Sequence, residues 1–360
     1  MDKSEEQLLI ELTSARGVPG NEDEVREVFK KYAAPFAEDI SFDGLGSVIA
    51  KHVGEGGGPK IFISGHMDEV GFMVTKITDQ GFIEFQTLGG WWSQVMLAQQ
   101  VEIKTQAGKL IRGVIGCKPP HVLTHEARKH PYEIKDMFID IGATSLEEAK
   151  SWGIRPSDMI TPYIEYERLN GGKFLLAKAW DNRVGTAVSL RVLENLAKEG
   201  HPNCLFAGSD VMEEVGLRGA RTSTHLVNPD IAIALDTGTA GDTPGMTPKE
   251  ADSKLGAGPQ VLIFDASMVP HKKLLNFVVN VAEELEIPFQ YTVITGGGTD
   301  AGQMHLTRDG VPSLAITVPV RYLHSHTSII HEDDYLNTVK LVTEVVRRLD
   351  DEAVKTIRSY

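Results

Sequence analysis

Apolar positions recur with two different periods along the chain, and the changes of period divide it. Residues 5–16 (EEQLLIELTSAR) place apolar side chains at 8, 9, 10 and 12, which predicts a short helix. The turn GVPG follows, and Asn21 with Glu24 three residues later reads as a capping box for a second helix. Two strand-like runs, 47–52 and 60–64, flank the glycine-rich turn GEGGG, and the second leads into Gly65-His66-Met67-Asp68. From about 70 to 165 the segments shorten. GFMVTKIT, GFIEFQTL, VEIKTQ and KLIRGVIG are β-branched or aromatic runs separated by turns such as DQG and AG. One helix interrupts them at 145–152, opened by Ser145-x-x-Glu148.

Beyond that stretch, strands are expected at 174–177, 204–208, 231–235, 289–294 and 313–318, and helices at 184–198, 271–286 and from about 333. Such alternation predicts an α/β fold with an open, mostly parallel sheet and helices on both faces. The expected organisation is a discontinuous domain, 1–69 and 166–360, interrupted by a small β-rich domain at 70–165. The chain contains no internal repeat and no low-complexity segment.

The composition removes several classes. At 360 residues, about 150 per domain gives two or so domains, with ample material for a core. Lys plus Arg is 36 against 50 Asp plus Glu, a formal charge of −14, which disfavours nucleic acid as a partner. Cys117 and Cys204 lie far apart without CxxC spacing, in keeping with a reducing cytoplasm. The start MDKSEEQLLI lacks the basic and apolar regions of a signal peptide. No apolar run approaches the roughly 20 residues that span a bilayer. A soluble, cytoplasmic protein with no membrane partner is expected.

Several familiar motifs fail. His125-Glu126 lacks the second histidine of HExxH, no GxSxG exists, and neither Gly108-Lys109 nor Gly172-Lys173 is followed by Ser or Thr. Gly296 to Ala301 matches GxGxxA, but no acidic residue lies about 20 positions on, so a tight glycine turn is the better reading.

The informative pattern is where acids and histidines fall. KIFIS ends in Gly-His66-Met-Asp68, CLFAGSDVM in Glu213-Glu214, and IAIAL in Asp236. SLAITV leads through Pro-Val-Arg-Tyr-Leu to His324, and Asp181 opens a helix. In open α/β sheets, ligands bind beyond the carboxyl ends of the strands. Each residue has a bland alternative. His66 with Asp68 suits a satisfied histidine beside a surface acid, Asp181 suits a helix N-cap, and adjacent glutamates are usually solvated. Asp236, closing an almost wholly apolar run, is harder to dismiss because a lone buried carboxylate is costly. Spacing does not choose among His324, His326 and His331. The convergence carries more weight than any one position.

His nitrogen and carboxylate oxygen together suit borderline and hard divalent cations. Two ions about 3.5–4 Å apart need a shared carboxylate. Five ligands with one shared give each ion three protein contacts, and a further unligated carboxylate would carry the proton from water to a leaving amine.

GHMDEVGF, AWDNRVG, MEEVGLRGA, ALDTG, GGGTDAG and RYLHS, in this order, resemble the TET-type dinuclear metalloaminopeptidases, the glutamyl or deblocking aminopeptidase family. The resemblance covers essentially the whole chain and departs at no ligand position. It implies that His66, Asp181 and Asp236 hold one metal and Asp181, Glu214 and His324 the other, with Asp181 bridging. It makes Glu213 the general acid/base and Asp68 the acid that orients the first histidine. It also implies zinc or cobalt as the metal pair, a dimerisation role for 70–165, and dimers assembling to a dodecameric shell. Manganese also suits such a site.

The expected function is therefore removal of single residues from peptides with a free amino terminus. The acidic site edge would hold the substrate's ammonium, with Asp236 and Glu213 as candidates. The nearest rival is another dinuclear amidohydrolase, a carboxypeptidase or deacylase. A glycoside hydrolase would need Glu213 and Glu214 to flank the bond about 5–5.5 Å apart or wider, whereas neighbours on one strand end project to different sides. A non-enzymatic scaffold is the third class.

Overall fold

A computed structural model describes residues 1–359. The chain opens with α1 (Lys3–Ser14), α2 (Asp23–Ala33), β1 (Asp39–Phe42), β2 (Val48–Val53) and β3 (Lys60–His66). It then runs through β4 (Gly71–Ile77), β5 (Ile83–Leu88), β6 (Gln100–Lys104), β7 (Leu110–Gly116), β8 (Phe138–Asp140), α3 (Leu146–Ser151) and β9 (Met159–Pro162). The return passes β10 (Glu167–Arg168), β11 (Phe174–Ala177), α4 (Trp180–Glu199), β12 (Cys204–Asp210), α5 (Arg218–Val227) and β13 (Ile231–Thr239). Next come β14 (Gln260–Asp265), α6 (Lys272–Glu284), β15 (Gln290–Ile294), α7 (Ala301–Met304) and β16 (Ser313–Val320). The last elements are β17 (Ser328–His331), α8 (Glu332–Arg347) and α9 (Asp351–Arg358).

Eight strands form one sheet in the order β1-β2-β12-β3-β13-β16-β14-β15. The central strands β12, β3, β13 and β16 run parallel, while β2 and β14 are antiparallel to their neighbours in this group. Parallel strands need both faces covered, and β3 is buried from Ile61 to His66, as is β13 from Ile231 to Gly238. Helix α4 is buried along most of its length, with Trp180, Val184, Val188, Val192 and Leu196 joining the core that also holds Leu12, Phe29, Ile63, Leu235 and Val342. The mixed α/β architecture with a largely parallel sheet is therefore the one the hydrophobic alternation predicts.

The excursion after β3 forms a closed antiparallel barrel, β4-β5-β8-β7-β6-β9, with its own core of Phe72, Val74, Ile83, Val101, Ile103, Ile139 and Ile160. Ion pairs tie this inserted barrel to α2 and to the segment between α1 and α2: Arg16 to Glu102 at 2.5 Å and Lys104 to Glu24 at 2.6 Å. These contacts overturn the expected capping box of α2. Glu24 reaches Arg16 and Lys104, and the N-cap position is Glu22, which makes no side-chain cap bond. The Glu22 carboxylate instead accepts from the backbone N–H of Gly20 and Met212. The cap at Ser145 forms as expected, its hydroxyl accepting from Glu148 N–H at 3.2 Å.

Candidate active site

The carboxyl ends of the central parallel strands meet at one edge of the sheet, and the sequence-predicted residues gather there. His66 ends β3 and is 1% exposed. Its Nδ1 faces the Asp68 carbonyl at 3.0 Å and the Asp68 carboxylate at 3.5 Å. Its Nε2 faces Asp181 Oδ1 at 3.2 Å, Glu213 Oε2 at 3.7 Å and Asp236 Oδ1 at 3.9 Å. Holding one ring nitrogen in this way fixes the other toward the acids.

Asp181 lies at the start of α4, where it and Asn182 have non-helical backbone angles and share a cis peptide bond. The capping role falls to Asn182: its Oδ1 accepts from Gly185 N–H at 3.0 Å, and its Nδ2 donates to the Leu235 carbonyl at 2.7 Å. The Asp181 carboxylate is thereby left for the site. Oδ1 faces His66, and Oδ2 lies 3.3 Å from His324 Nε2. The same Nε2 is 3.4 Å from Glu214 Oε2. Asp236 sits within β13, three residues before the strand ends, and its Oδ1 accepts the Thr237 N–H.

Glu213 and Glu214 follow β12, and their side chains diverge, Glu213 toward His66 and Glu214 toward His324. Asp68 anchors both main chains, its two oxygens accepting the N–H groups of Glu213 and Glu214 at 3.0 Å each. The contact of Asp68 with the first histidine is thus mainly through its backbone carbonyl, and its carboxylate holds the glutamates. Of the three candidate histidines near the end of the chain, only His324 enters this cluster. His326 is buried against Trp91 and Phe72, and His331 caps α8 by accepting the Asp333 N–H.

The electrostatics reflect crowded acids. Burial, reinforced by Asp181, pushes Glu214 up to about 8 and Asp236 up to about 7. Burial also raises Glu213 well above the usual carboxylate range, with Asp236, Asp300 and Glu214 adding to it. For Asp181 burial acts the same way, but the hydrogen bonds from His324 and His66 outweigh it and hold the group below its ordinary value. Burial would depress the histidines, yet the surrounding carboxylates raise His66 well above normal and His324 to about 9.

Divalent cations suit this donor set. The ligand atoms of His66, Glu213 and Asp236 lie within 4.8 Å of one another, as do those of His66, Asp181 and Glu214. Glu214 Oε1 is buried without a hydrogen-bond partner. In the ion pairs formed among the described residues, the only basic partners of Asp181, Glu213, Glu214 and Asp236 are the two histidines.

Two further acids border the site. Asp210 closes β12 and Asp300 precedes α7; both are at least 98% buried, and burial raises Asp210 to about 7 and Asp300 well above normal. The sequence reading missed both. Asp210 lies within the run CLFAGSDVM, and an acid inside a mostly apolar strand is the signal that could have found it. The glycines before Asp300 form a bend and irregular segment after β15 rather than the expected tight turn, with Thr299 fastened to Asp265 through its N–H and hydroxyl.

Comparison with known proteins places these features in context. Residues 46–341 match the M42 glutamyl aminopeptidase family. The chain is 37% identical over 352 residues to the glutamyl aminopeptidase of Lactococcus lactis, covering 97% of this chain and 98% of that one. It superposes on a TET aminopeptidase from a marine sediment archaeon of the Thaumarchaeota with a TM-score of 0.96 at 43% identity, covering 98% and 99% of the two chains. It also resembles the Pyrococcus horikoshii TET1 peptidase, which can assemble into a tetrahedron or a large octahedral shell: TM-score 0.85, 32% identity, 96% and 100% coverage.

Proposed function

Because the chain belongs to the M42 glutamyl aminopeptidase family, we propose that this aminopeptidase hydrolyses the first bond of peptides with a free amino terminus at a dinuclear metal centre. As an M42 peptidase it is a metallopeptidase, and its His and acidic groups can hold metal. The observation that carries the dinuclear reading is the placement of the Asp181 oxygens, one 3.2 Å from His66 Nε2 and the other 3.3 Å from His324 Nε2. On this reading His66, Asp181 and Asp236 hold one ion, and Asp181, Glu214 and His324 hold the other. Zinc, cobalt and manganese all suit these donors.

When bound, such a pair supplies Lewis acidity to the scissile carbonyl and to the attacking water. The chain's own residues supply the rest. Glu213 takes a proton from the water and returns it to the departing amine. Asp68 keeps Glu213 and Glu214 apart by fixing their main chains. The acidic edge attracts the substrate's ammonium, Asp236 and Glu213 being the candidate anchors, which accounts for a requirement for a free amino terminus. The divergence of Glu213 and Glu214 disfavours the glycoside hydrolase alternative, which needs two acids facing one bond.

Residues 70–165 are the inserted domain and act in dimerisation, with dimers assembling to a dodecamer, and the protein works in the cytoplasm. No helix among the described residues is long and apolar enough to cross a membrane.

The test is to incubate the protein with free and amino-terminally acetylated peptides, with and without chelator, and to read the products by mass spectrometry. Stepwise loss from free termini only, abolished by chelation, is expected. Trimming from the carboxyl end, or of acetylated peptides alone, would overturn the polarity.

A further inference from the structure

We propose that the inserted barrel completes the metal centre: the Gly89–Gly90 turn that follows β5 is a positioning element for His324 and Glu214. This rests on the reading of those two residues as ligands.

The two candidate histidines are held differently. His66 is 1% exposed, and its Nδ1 is fixed by the Asp68 carbonyl at 3.0 Å, two residues along the same segment. His324 sits on a loop with φ +53, and its side chain is 37% exposed. What stands behind its ring comes from the barrel, because the Gly90 backbone packs against the Nδ1 side of the imidazole. His324 Nε2 faces Asp181 and Glu214, so Nδ1 is the nitrogen turned to Gly90. Backbone packed against the Nδ1 side of the ring holds the imidazole with Nε2 aimed at the site.

The approach is close enough that a side chain on either glycine would press on the ligands. A Cβ on Gly90 would stand 3.1 Å from His324 Nδ1 and 3.5 Å from its Cε1. A Cβ on Gly89 would stand 2.7 Å from Val70 Cγ1, 3.2 Å from Glu214 Oε2 and 3.3 Å from Glu214 Cβ, and Gly89 has φ +83, a conformation that favours glycine. The turn is itself anchored in the barrel. Trp91 Nε1 donates to the Gly71 carbonyl at 3.1 Å, and its ring stacks on Phe72 with centroids 4.7 Å apart. The ring of His324 is therefore registered to the barrel rather than to the sheet.

The experiment titrates metal-free, full-length protein with cobalt(II), followed by visible absorption and calorimetry. Gly90→Ala is expected to bind one ion as wild type does and the other about 10–100-fold more weakly, the usual effect of disturbing the partner of a metal-bound histidine. Trp91→Phe keeps an aromatic ring to stack on Phe72 but loses the N–H bond to Gly71, and should weaken the same ion by less. His324→Ala serves as the control and should lose that ion. Wild-type binding of both ions by Gly90→Ala and Trp91→Phe, with one ion lost in His324→Ala, would overturn the positioning role and leave the ligand reading standing. Equal weakening of both ions in Gly90→Ala would also overturn it. Retention of both ions by His324→Ala would refute the ligand reading, and the proposal with it.

Discussion

The carboxylate of Asp68 accepts the backbone N–H of Glu213 at 3.0 Å, so the acid two residues beyond the first histidine fixes the segment that carries the expected proton shuttle. Its other oxygen accepts the Glu214 N–H. Asp68→Asn puts an amide N–H₂ against one of these donors and loosens the pair. Turnover should fall about 10–100-fold, as for other supporting groups around metal ligands, with the loss in kcat rather than KM. Steady-state kinetics beside a circular dichroism spectrum checks this, and a wild-type kcat would remove Asp68 from that role.

Of the four acids Asp181, Glu213, Glu214 and Asp236, Glu213 is the one assigned no metal. Glu213→Gln keeps the shape of the side chain but not its ability to accept a proton. Metal content by mass spectrometry should stay near wild type while turnover falls by about 10²–10⁴. Loss of an ion together with activity would make Glu213 a ligand, a role its 3.7 Å approach to His66 Nε2 permits.

Arg183 is wholly buried behind the site. It donates to the carbonyls of Leu12, Ala15, Gly17 and Met67 and lies 3.2 Å from Glu69, which also pairs with buried Lys178 at 2.5 Å. Arg183→Met takes a donor from the Leu12 and Met67 carbonyls, while Ala15 keeps Lys178 and Gly17 keeps the Glu69 N–H, and it removes one of two cations from Glu69. A loss of about 3–5 kcal/mol is expected, the usual effect of breaking a buried pair. Urea denaturation followed by circular dichroism would measure it, and an unchanged midpoint would contradict it.

His201, at the far end of the sheet, supplies a pH-dependent contribution. Asn203 Nδ2 donates to the Val346 and Leu349 carbonyls, so its Oδ1 is free to accept from His201 Nδ1 at 2.8 Å. His201 Nε2 then accepts from His52 Nδ1, also at 2.8 Å. Burial holds the His201 pKa below its ordinary value, and neighbouring His52 adds to that. The unfolded chain therefore takes up this proton first as pH falls below about 6.5. The contribution is complete above that pH and is lost as pH falls through the lower, folded-state value. Denaturation of wild type and His201→Gln across this range should give a stability difference that shrinks on acidification. A difference independent of pH would be evidence against this coupling.

Legibility of the sequence followed the range of the interactions. The strand ends carrying His66, Glu213, Glu214 and Asp236 were readable because an apolar strand and its terminal acid are adjacent in the chain. The separation of His324 from His326 and His331 was not, because it depends on Asp181 and Glu214, more than a hundred residues away. Asp181 resembled an N-cap, and only the neighbouring Asn182 bond to Gly185 N–H shows which residue takes that role. The Asn21–Glu24 box failed for a related reason, since barrel residue Lys104 competes for Glu24. Helix α5, RGARTSTHLV, was overlooked because Thr, Ser and Gly are poor helix formers. Its buried face of Ala220, Ser223, Thr224 and Val227 is set by packing.

The central claim is that Asp181 serves both ions, and counting metal tests it most directly. Wild-type protein loaded with cobalt(II) or zinc(II) and freed of excess should carry two ions per chain by inductively coupled plasma mass spectrometry. Asp181→Asn, folded by circular dichroism, should bind both ions weakly and retain neither through the same treatment. Loss of just one ion from Asp181→Asn, or a single ion in the wild type, would contradict the bridging arrangement.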